Sequence, residues 1–210
     1  MKREFFGVGD FVFRTNYWIR MNLRRDGFFN KRYYLRPFLK QLINKFGDKE
    51  LIGCEVGVWR GYNSKLILKN LNMGCLYLVD PYIADDDKAG CSKDKQRMND
   101  NLCHWIQGVG NAHPHYMKST DMDLSEDMFD FVYLDGCHKY DVLSEELRLF
   151  YPAVVSGGML AGHDINQIQV AMAVVDFCKE MGLEYSFQDL DWWIWKPKKV
   201  KKVNDEVVVV

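Results

Sequence analysis

The sequence predicts an α/β protein, a mostly parallel sheet covered by helices on both faces and closed by an antiparallel last strand. Three observations carry this expectation. Short apolar runs alternate with helix-period stretches from residue 33 onward. Most of those runs are continuously apolar, as strands buried on both faces are. The last two runs, 184–190 and 192–196, are close enough to form a hairpin.

Each element follows from its local pattern. Residues 33–46 place apolar side chains at 35, 38, 39, 42, 43 and 46, one helix face, which Gly47 and Asp48 stop. LIGCEV (51–56) reads as a strand, and 63–71 as a helix with Asn63 or Ser64 as its N-cap. CLYLVD (75–80) is the next strand, followed by a polar loop over 81–92, a helix over 93–107 and a strand over 115–120. FDFVYLD (129–135) is the clearest strand; a helix over 139–151 follows and is bounded by Pro152. Gly157-Gly158 turns the chain into the strand 159–164, and a helix over 166–181 ends at Gly182. Asp191 separates the last two strands. Residues 192–195 are apolar on both faces, so the final strand is expected inside the sheet and not at its edge. The Lys-rich end, 196–210, reads as a frayed tail. The division is thus 1–46, a basic aromatic segment with a cap helix; 47–196, the α/β domain; and 197–210, the tail.

Composition excludes several classes. The 210 residues suit one domain, and 48% hydrophobic with 27% charged residues argues against extended disorder. No run approaches the roughly 18–20 apolar residues of a membrane helix, and the start lacks the pattern of a secretory signal. The cysteines (54, 75, 91, 103, 137, 178) form no CxxC pair, which argues against structural zinc and for reduced thiols in a cytoplasmic setting. Residues 1–45 carry eleven Lys/Arg against three acids, interleaved with aromatics. That suits a solvated amphipathic cap, or closure over this chain's site or a neighbour's in a homo-oligomer. No RNA-recognition signature accompanies it.

Four candidate strands end in or beside an acid: Glu55, Asp80, Asp135 and Asp164. Ligands of open α/β sheets bind at that carboxyl rim. Glu55-Val-Gly57-Val-Trp-Arg-Gly61 is a glycine-bearing strand-to-helix turn without GxGxxG spacing. A carboxylate there opposes the pyrophosphate of a dinucleotide, which disfavours a nicotinamide oxidoreductase. It favours a ligand with an ammonium and a sulfonium and no phosphate, which describes S-adenosylmethionine (SAM). Asp80 is placed to accept from two ribose hydroxyls.

These motifs, EVGVWRG (55–61), DPY (80–82), DGCHKY (135–140) and GGMLAGHD (157–164), resemble those of the class I SAM-dependent methyltransferases, in particular a small bacterial and viral branch. The resemblance covers about residues 50–196. It implies a Rossmann-like, mostly parallel seven-stranded sheet. It also implies that Glu55, Gly57 and Gly61 hold the methionine part of SAM, that Asp80 holds the ribose, and that Tyr82 lies near ribose and adenine. Ser119, Thr120 and Asp121 would border the adenine. Trp59 departs from the pattern, since many methyltransferases have a middle glycine there.

A hydroxyl acceptor needs a base near neutral pKa or a metal that acidifies it. Asp135, His138, His163 and Asp164 converge on the acceptor side, and either histidine suits the base; a hydrogen-bonded structural role is the plain alternative for each. By resemblance to metal-dependent O-methyltransferases, Asp135 and Asp164 match Mg²⁺ positions, while His163 departs from the usual acid-amide pair. His104, His113 and His115 fall in or beside a helix and loop and read as structural or solvated. Relatives of the motif set accompany glycan and antibiotic-sugar pathways, so the resemblance implies O-methylation of a small-molecule or carbohydrate hydroxyl. The alternative is a noncatalytic SAM-fold protein with an RNA- or membrane-associated accessory role, motivated by the basic stretches at both ends.

Overall fold

A proline sets the start of the first helix among the described residues. The computed structural model describes residues 35–59, 61–81, 111–198, 200–203 and 206–209; Tyr82, His104, the expected helix over 93–107 and the N-terminal aromatic segment lie outside them. Helix α1, Pro37–Phe46, begins at Pro37 and leaves Leu35 and Arg36 outside. Proline at the first helical position costs no hydrogen bond, and it disfavours helical geometry in the residue before it.

Strand β1 (Leu51–Val56) leads to helix α2 (Tyr62–Asn70), then β2 (Met73–Val79) and β3 (Ala112–His115). The strand expected over 115–120 is therefore displaced: β3 ends at His115, and Ser119–Asp121 is a single 3-10 turn. His113 and His115 consequently sit on a strand, where His115 stacks on Tyr77 with centroids 5.1 Å apart. Strand β4 (Phe129–Leu134) precedes helix α3 (Tyr140–Ala153), which takes Pro152 into its last turn.

Strand β5, Val154–Gly162, starts directly after α3. Gly157-Gly158 is a bulge inside this strand and not a turn before it. Phe129 pairs with Val154 and Phe131 with Met159, so the step from 129 to 131 on β4 faces the step from 154 to 159 on β5. Gly157 supplies the positive φ, +78°, that such a bulge needs. Helix α4 (Ile168–Met181) ends on Gly182 in the left-handed conformation.

The hairpin β6 (Ser186–Gln188) and β7 (Asp191–Trp195) completes a seven-stranded sheet of order β3-β2-β1-β4-β5-β7-β6. Strands β1 to β5 pair in parallel, and β7 runs antiparallel between β5 and β6, internal as expected. The residues at 196–210 are not a frayed tail throughout. Val200–Val203 (β8) pairs antiparallel with Glu206–Val209 (β9). β-Branched valines around an Asn-Asp pair favour that hairpin.

Alternation along the strands divides the core. Val56, Val132, Leu134, Leu160, Trp192 and Ile194 pack with Leu147 and Phe150 of α3 and Val174 and Phe177 of α4. Tyr133, on the other face of β4, meets Phe38 of α1 with ring centroids 4.0 Å apart. Among the described residues no helix is long and apolar enough to cross a membrane.

Candidate active site

The parallel register brings the predicted acids to one rim. Gly57 N–H bonds Val79 O at 2.9 Å, Asp135 N–H bonds Val56 O at 2.8 Å, and His163 N–H bonds Leu134 O at 3.1 Å, so β2, β1, β4 and β5 end side by side. Gly57 lies at φ +84°, and a Cβ there would stand 2.2 Å from the carbonyl oxygen of Asp135. Only glycine lets the two loops pass this closely.

On the β1–β2 half the acids are built into the scaffold. Glu55 is buried and accepts hydrogen bonds from Asn63 Nδ2 at 3.1 Å and from Ser64 Oγ. Asn63 and Ser64 are therefore not caps: Gly61, at φ +66°, occupies the N-cap position of α2 without a side-chain cap bond. A buried carboxylate without donors is far costlier than an uncapped helix end, so the two side chains turn to Glu55. Asn63 Oδ1 is a buried acceptor with no hydrogen-bond partner among the described residues. Asp80 Oδ2 accepts the amides of Val58 at 3.0 Å and Trp59 at 2.9 Å, bracing the loop between β1 and α2.

The 3-10 turn carries Ser119, Thr120 and Asp121. Ser119 Oγ donates to Glu146 Oε1 at 2.5 Å. Glu146, on α3, is a site residue that sequence reasoning missed. It is buried, its Oε2 has no hydrogen-bond partner among the described residues, and burial pushes its pKa up to about 7, against the opposing effect of the Ser119 hydrogen bond. A signal was available: position 146 falls on the helix face of Leu143, Leu147 and Phe150.

On the β4–β5 half the side chains face one another. His138 Nε2 lies 2.9 Å from Asp164 Oδ2, a close ion-pair contact without the alignment of a hydrogen bond. His163 Nδ1 lies 3.2 Å from Asp164 Oδ1 and 3.6 Å from Asp135 Oδ1. Asp164 adopts φ +58°, which turns its carboxylate back toward both histidines, a conformation aspartate tolerates better than most residues. Burial acts to raise the Asp164 pKa, but the contacts from His138 and His163 outweigh it and hold the carboxyl below its usual range. Contact with Asp164 raises the pKa of His138, against a smaller lowering by burial.

The two histidines differ in access. The His138 side chain is 38% exposed and that of His163 is 20%. His163 is also enclosed from behind. Its Nε2 is 3.9 Å from Asp191 Oδ1, and its carbonyl accepts Trp192 Nε1 at 3.2 Å. Asp191 is a second residue that sequence reasoning missed, since it reads as a separator between strands. It is buried at the start of β7, where it accepts from Tyr133 Oη at 2.8 Å and from the Phe38 amide at 3.3 Å. No local signal marks it, because its partners lie 58 and 153 residues away.

Asp135, His138 and Asp164 each offer a ligand atom, all within 4.8 Å of one another. Two carboxylates and an imidazole nitrogen with no aligned partner among the described residues form a donor set that suits a divalent cation.

The sheet order, the glycine loop after β1 and the acid rim define a protein with the class I, Rossmann-like SAM-dependent methyltransferase fold. The chain belongs to the methyltransferase-domain family, whose sequence model matches residues 54–165, just over half of it. The chain is similar to the uncharacterized protein R132 of Acanthamoeba polyphaga mimivirus, 22% identical over 146 residues, which are 67% of this chain and 63% of that protein. In structure it is similar to a SAM-dependent methyltransferase candidate from Methanococcus maripaludis, with TM-score 0.55, 14% identity and coverage of 77% of this chain and 84% of that one. It is also similar to N-methyltransferase NodS of Bradyrhizobium japonicum, with TM-score 0.52, 14% identity and coverage of 77% and 95%.

Proposed function

We propose that the chain transfers the methyl group of SAM to a hydroxyl of a small-molecule or carbohydrate acceptor, with His138 as the base. The observation that carries this reading is the pair of His138 and Asp164, 2.9 Å apart, with the imidazole the more accessible of the two at the acceptor rim. Methyl transfer is an in-line displacement, in which alignment supplies much of the rate. The hydroxyl loses its proton as the new carbon–oxygen bond forms, and a positioned base contributes roughly 10²–10⁴-fold. His138 accepts that proton, Asp164 stabilises the resulting imidazolium, and His163 holds Asp135 and Asp164 in place.

For the donor, the methionine part lies along Glu55, Gly57 and Gly61. The unpartnered Asn63 Oδ1 beside Glu55 fits an ammonium N–H. The ribose falls to Asp80, and the adenine to Ser119, Thr120 and Asp121. A divalent cation such as Mg²⁺, held by Asp135 and Asp164, would supply Lewis acidity at the acceptor hydroxyl. The carbohydrate acceptor is supported by the motif resemblance alone.

The test incubates the full chain with SAM and a panel of sugar and phenol acceptors and follows S-adenosylhomocysteine release. The expected result is release that needs an acceptor hydroxyl and is lost in His138→Ala. Full activity of that variant at neutral pH would remove His138 as the base. Full activity in excess EDTA would remove the cation.

A further inference from the structure

Helix α3 begins without a side-chain cap of its own. The first amides of a helix have no partner within it, and a side-chain oxygen on the residue before it commonly accepts one. Lys139 holds that position and makes no side-chain cap bond, since an ammonium can only donate. The Tyr140 amide is met instead from α4, where Gln169 Oε1 accepts it at 3.0 Å. Tyr140 Oη donates in turn to Asp176 Oδ2, also at 3.0 Å. Gln169 and Asp176 lie two turns apart on one face of α4, about 10.5 Å along its axis. One tyrosine is thus held to α4 at both its backbone and its hydroxyl.

This anchor lies beside the proposed base. Residues 136–139 belong to no helix or strand, and His138 stands among them, just before Tyr140. On the facing segment Asp164 shortly precedes Gln169, and its carbonyl accepts the Gln167 amide at 2.8 Å, which folds that link tightly. The segments 135–140 and 164–169 therefore meet twice: His138 with Asp164 at 2.9 Å, and Tyr140 with Gln169 at 3.0 Å. The first contact joins two partly exposed side chains without hydrogen-bond alignment. The second joins backbone to side chain and limits how far the His138 loop can move from Asp164. Both bonds of Tyr140 lie at the surface, where water competes and the gain in stability is small. Burial of Leu147, Phe150, Val174 and Phe177 already holds α3 on α4. What the two bonds add is alignment, and a displacement of about 1 Å near reacting groups can cost roughly 10²-fold in rate.

We propose that Gln169 and Asp176 are positioning residues that act through Tyr140 to hold His138 at its distance from Asp164. The proposal rests on the reading of His138 as the base. A second pair across the same two helices supplies the contrast. Arg148 Nη2 donates to Glu180 Oε2 at 2.5 Å, a surface bond about 12 Å further along α3 from Tyr140 and remote from the His138 loop.

The experiment compares the full chain with Gln169→Ala, Asp176→Ala and their double variant. Gln169→Glu and Asp176→Asn keep an acceptor oxygen and serve as rescues, and Glu180→Ala breaks the remote pair. It measures kcat and KM for the hydroxyl acceptor found in the sugar and phenol panel, the SAM dissociation constant by calorimetry, and amide hydrogen exchange over 136–142 in the ligand-free chain. The expected result is a fall in kcat of about 3- to 10-fold in each single alanine variant and about 10- to 100-fold in the double variant. KM and SAM affinity should stay within about twofold, and exchange over 136–142 should quicken. The Glu and Asn variants should recover most of kcat, and Glu180→Ala should leave it unchanged. An unchanged kcat in the double variant overturns the proposal. So does an equal fall in Glu180→Ala, which would make the effect one of helix pairing in general. Unchanged exchange in the double variant overturns it whether or not an acceptor is found. If the unaltered chain methylates no acceptor of the panel, or if His138→Ala keeps full activity, the reading of the base fails and the proposal falls with it.

Discussion

The two halves of the carboxyl rim use the same side-chain chemistry for opposite ends. On the β1–β2 half, Glu55 is enclosed by Asn63 and Ser64, and one oxygen of Asp80 takes two loop amides. These acids shape the backbone. On the β4–β5 half, Asp135 and Asp164 meet histidines instead of amides, and the groups remain partly open to solvent. These acids set the charge and basicity of their neighbours. A carboxylate surrounded by fixed donors braces the scaffold, while one paired with an imidazole raises the basicity of the ring. The contrast predicts that damage to the first half appears in ligand affinity and stability, and damage to the second in turnover.

The largest expected effect lies in the second half. Asp164→Asn should lower kcat by roughly 10²–10⁴-fold while leaving the SAM dissociation constant within about twofold. Its pH profile sharpens the test. Contact with Asp164 raises the His138 pKa, so the acid limb of kcat should lie above the ordinary histidine value and move to lower pH in the variant. A limb that stays in place would break the pairing of these two residues.

Glu146 tests what lies beneath the junction of the two halves. Burial lifts its folded pKa to about 7 from the ordinary carboxyl value of 4.5, so the native state holds more protons than the unfolded state between those values. Stability from this group is present at low pH and is lost as pH rises through that window, by up to about 3 kcal/mol. Glu146→Gln should remove the slope and melt higher than the original chain at pH 8. Parallel melting curves of the two proteins across pH 5–8 would contradict the burial argument.

Asp80→Ala should weaken SAM binding by about 1.5–3 kcal/mol with a smaller change in kcat, since two amides lose a charged acceptor and the loop loosens. Calorimetry checks it, and unchanged affinity would strip the β1–β2 half of its role as cradle. The smallest effect belongs to Ser64→Ala, which removes one of the side-chain donors of Glu55, keeps Asn63, and should cost about 1–2 kcal/mol of stability in denaturant melts.

Which of these residues could be read from the sequence depends on how far away their partners lie. Glu55, Asp80, Asp135 and Asp164 were legible because each follows a short apolar run and precedes a turn, a pattern contained within a few residues. The internal position of β7 was legible for the same reason, in its two apolar faces. Asn63 and Ser64 were misread as caps, since their position before a helix is a local signal and the buried carboxylate they serve lies on another element. Glu146 belongs to no motif, although its place on the apolar face of α3 marked it.

Composition and periodicity by themselves determined the layered α/β class, the acid rim and the motif set, because strand alternation, helix period and glycine turns are imposed by neighbouring residues along the chain. Only the tertiary structure decided that Gly157-Gly158 is a bulge, that His138 is the accessible histidine and that Asp191 backs His163. It likewise decided that Asp80 takes the amides of Val58 and Trp59. Each of these depends on which groups burial forces together: a buried polar atom takes the partner that packing delivers, and packing joins residues that are distant in the chain.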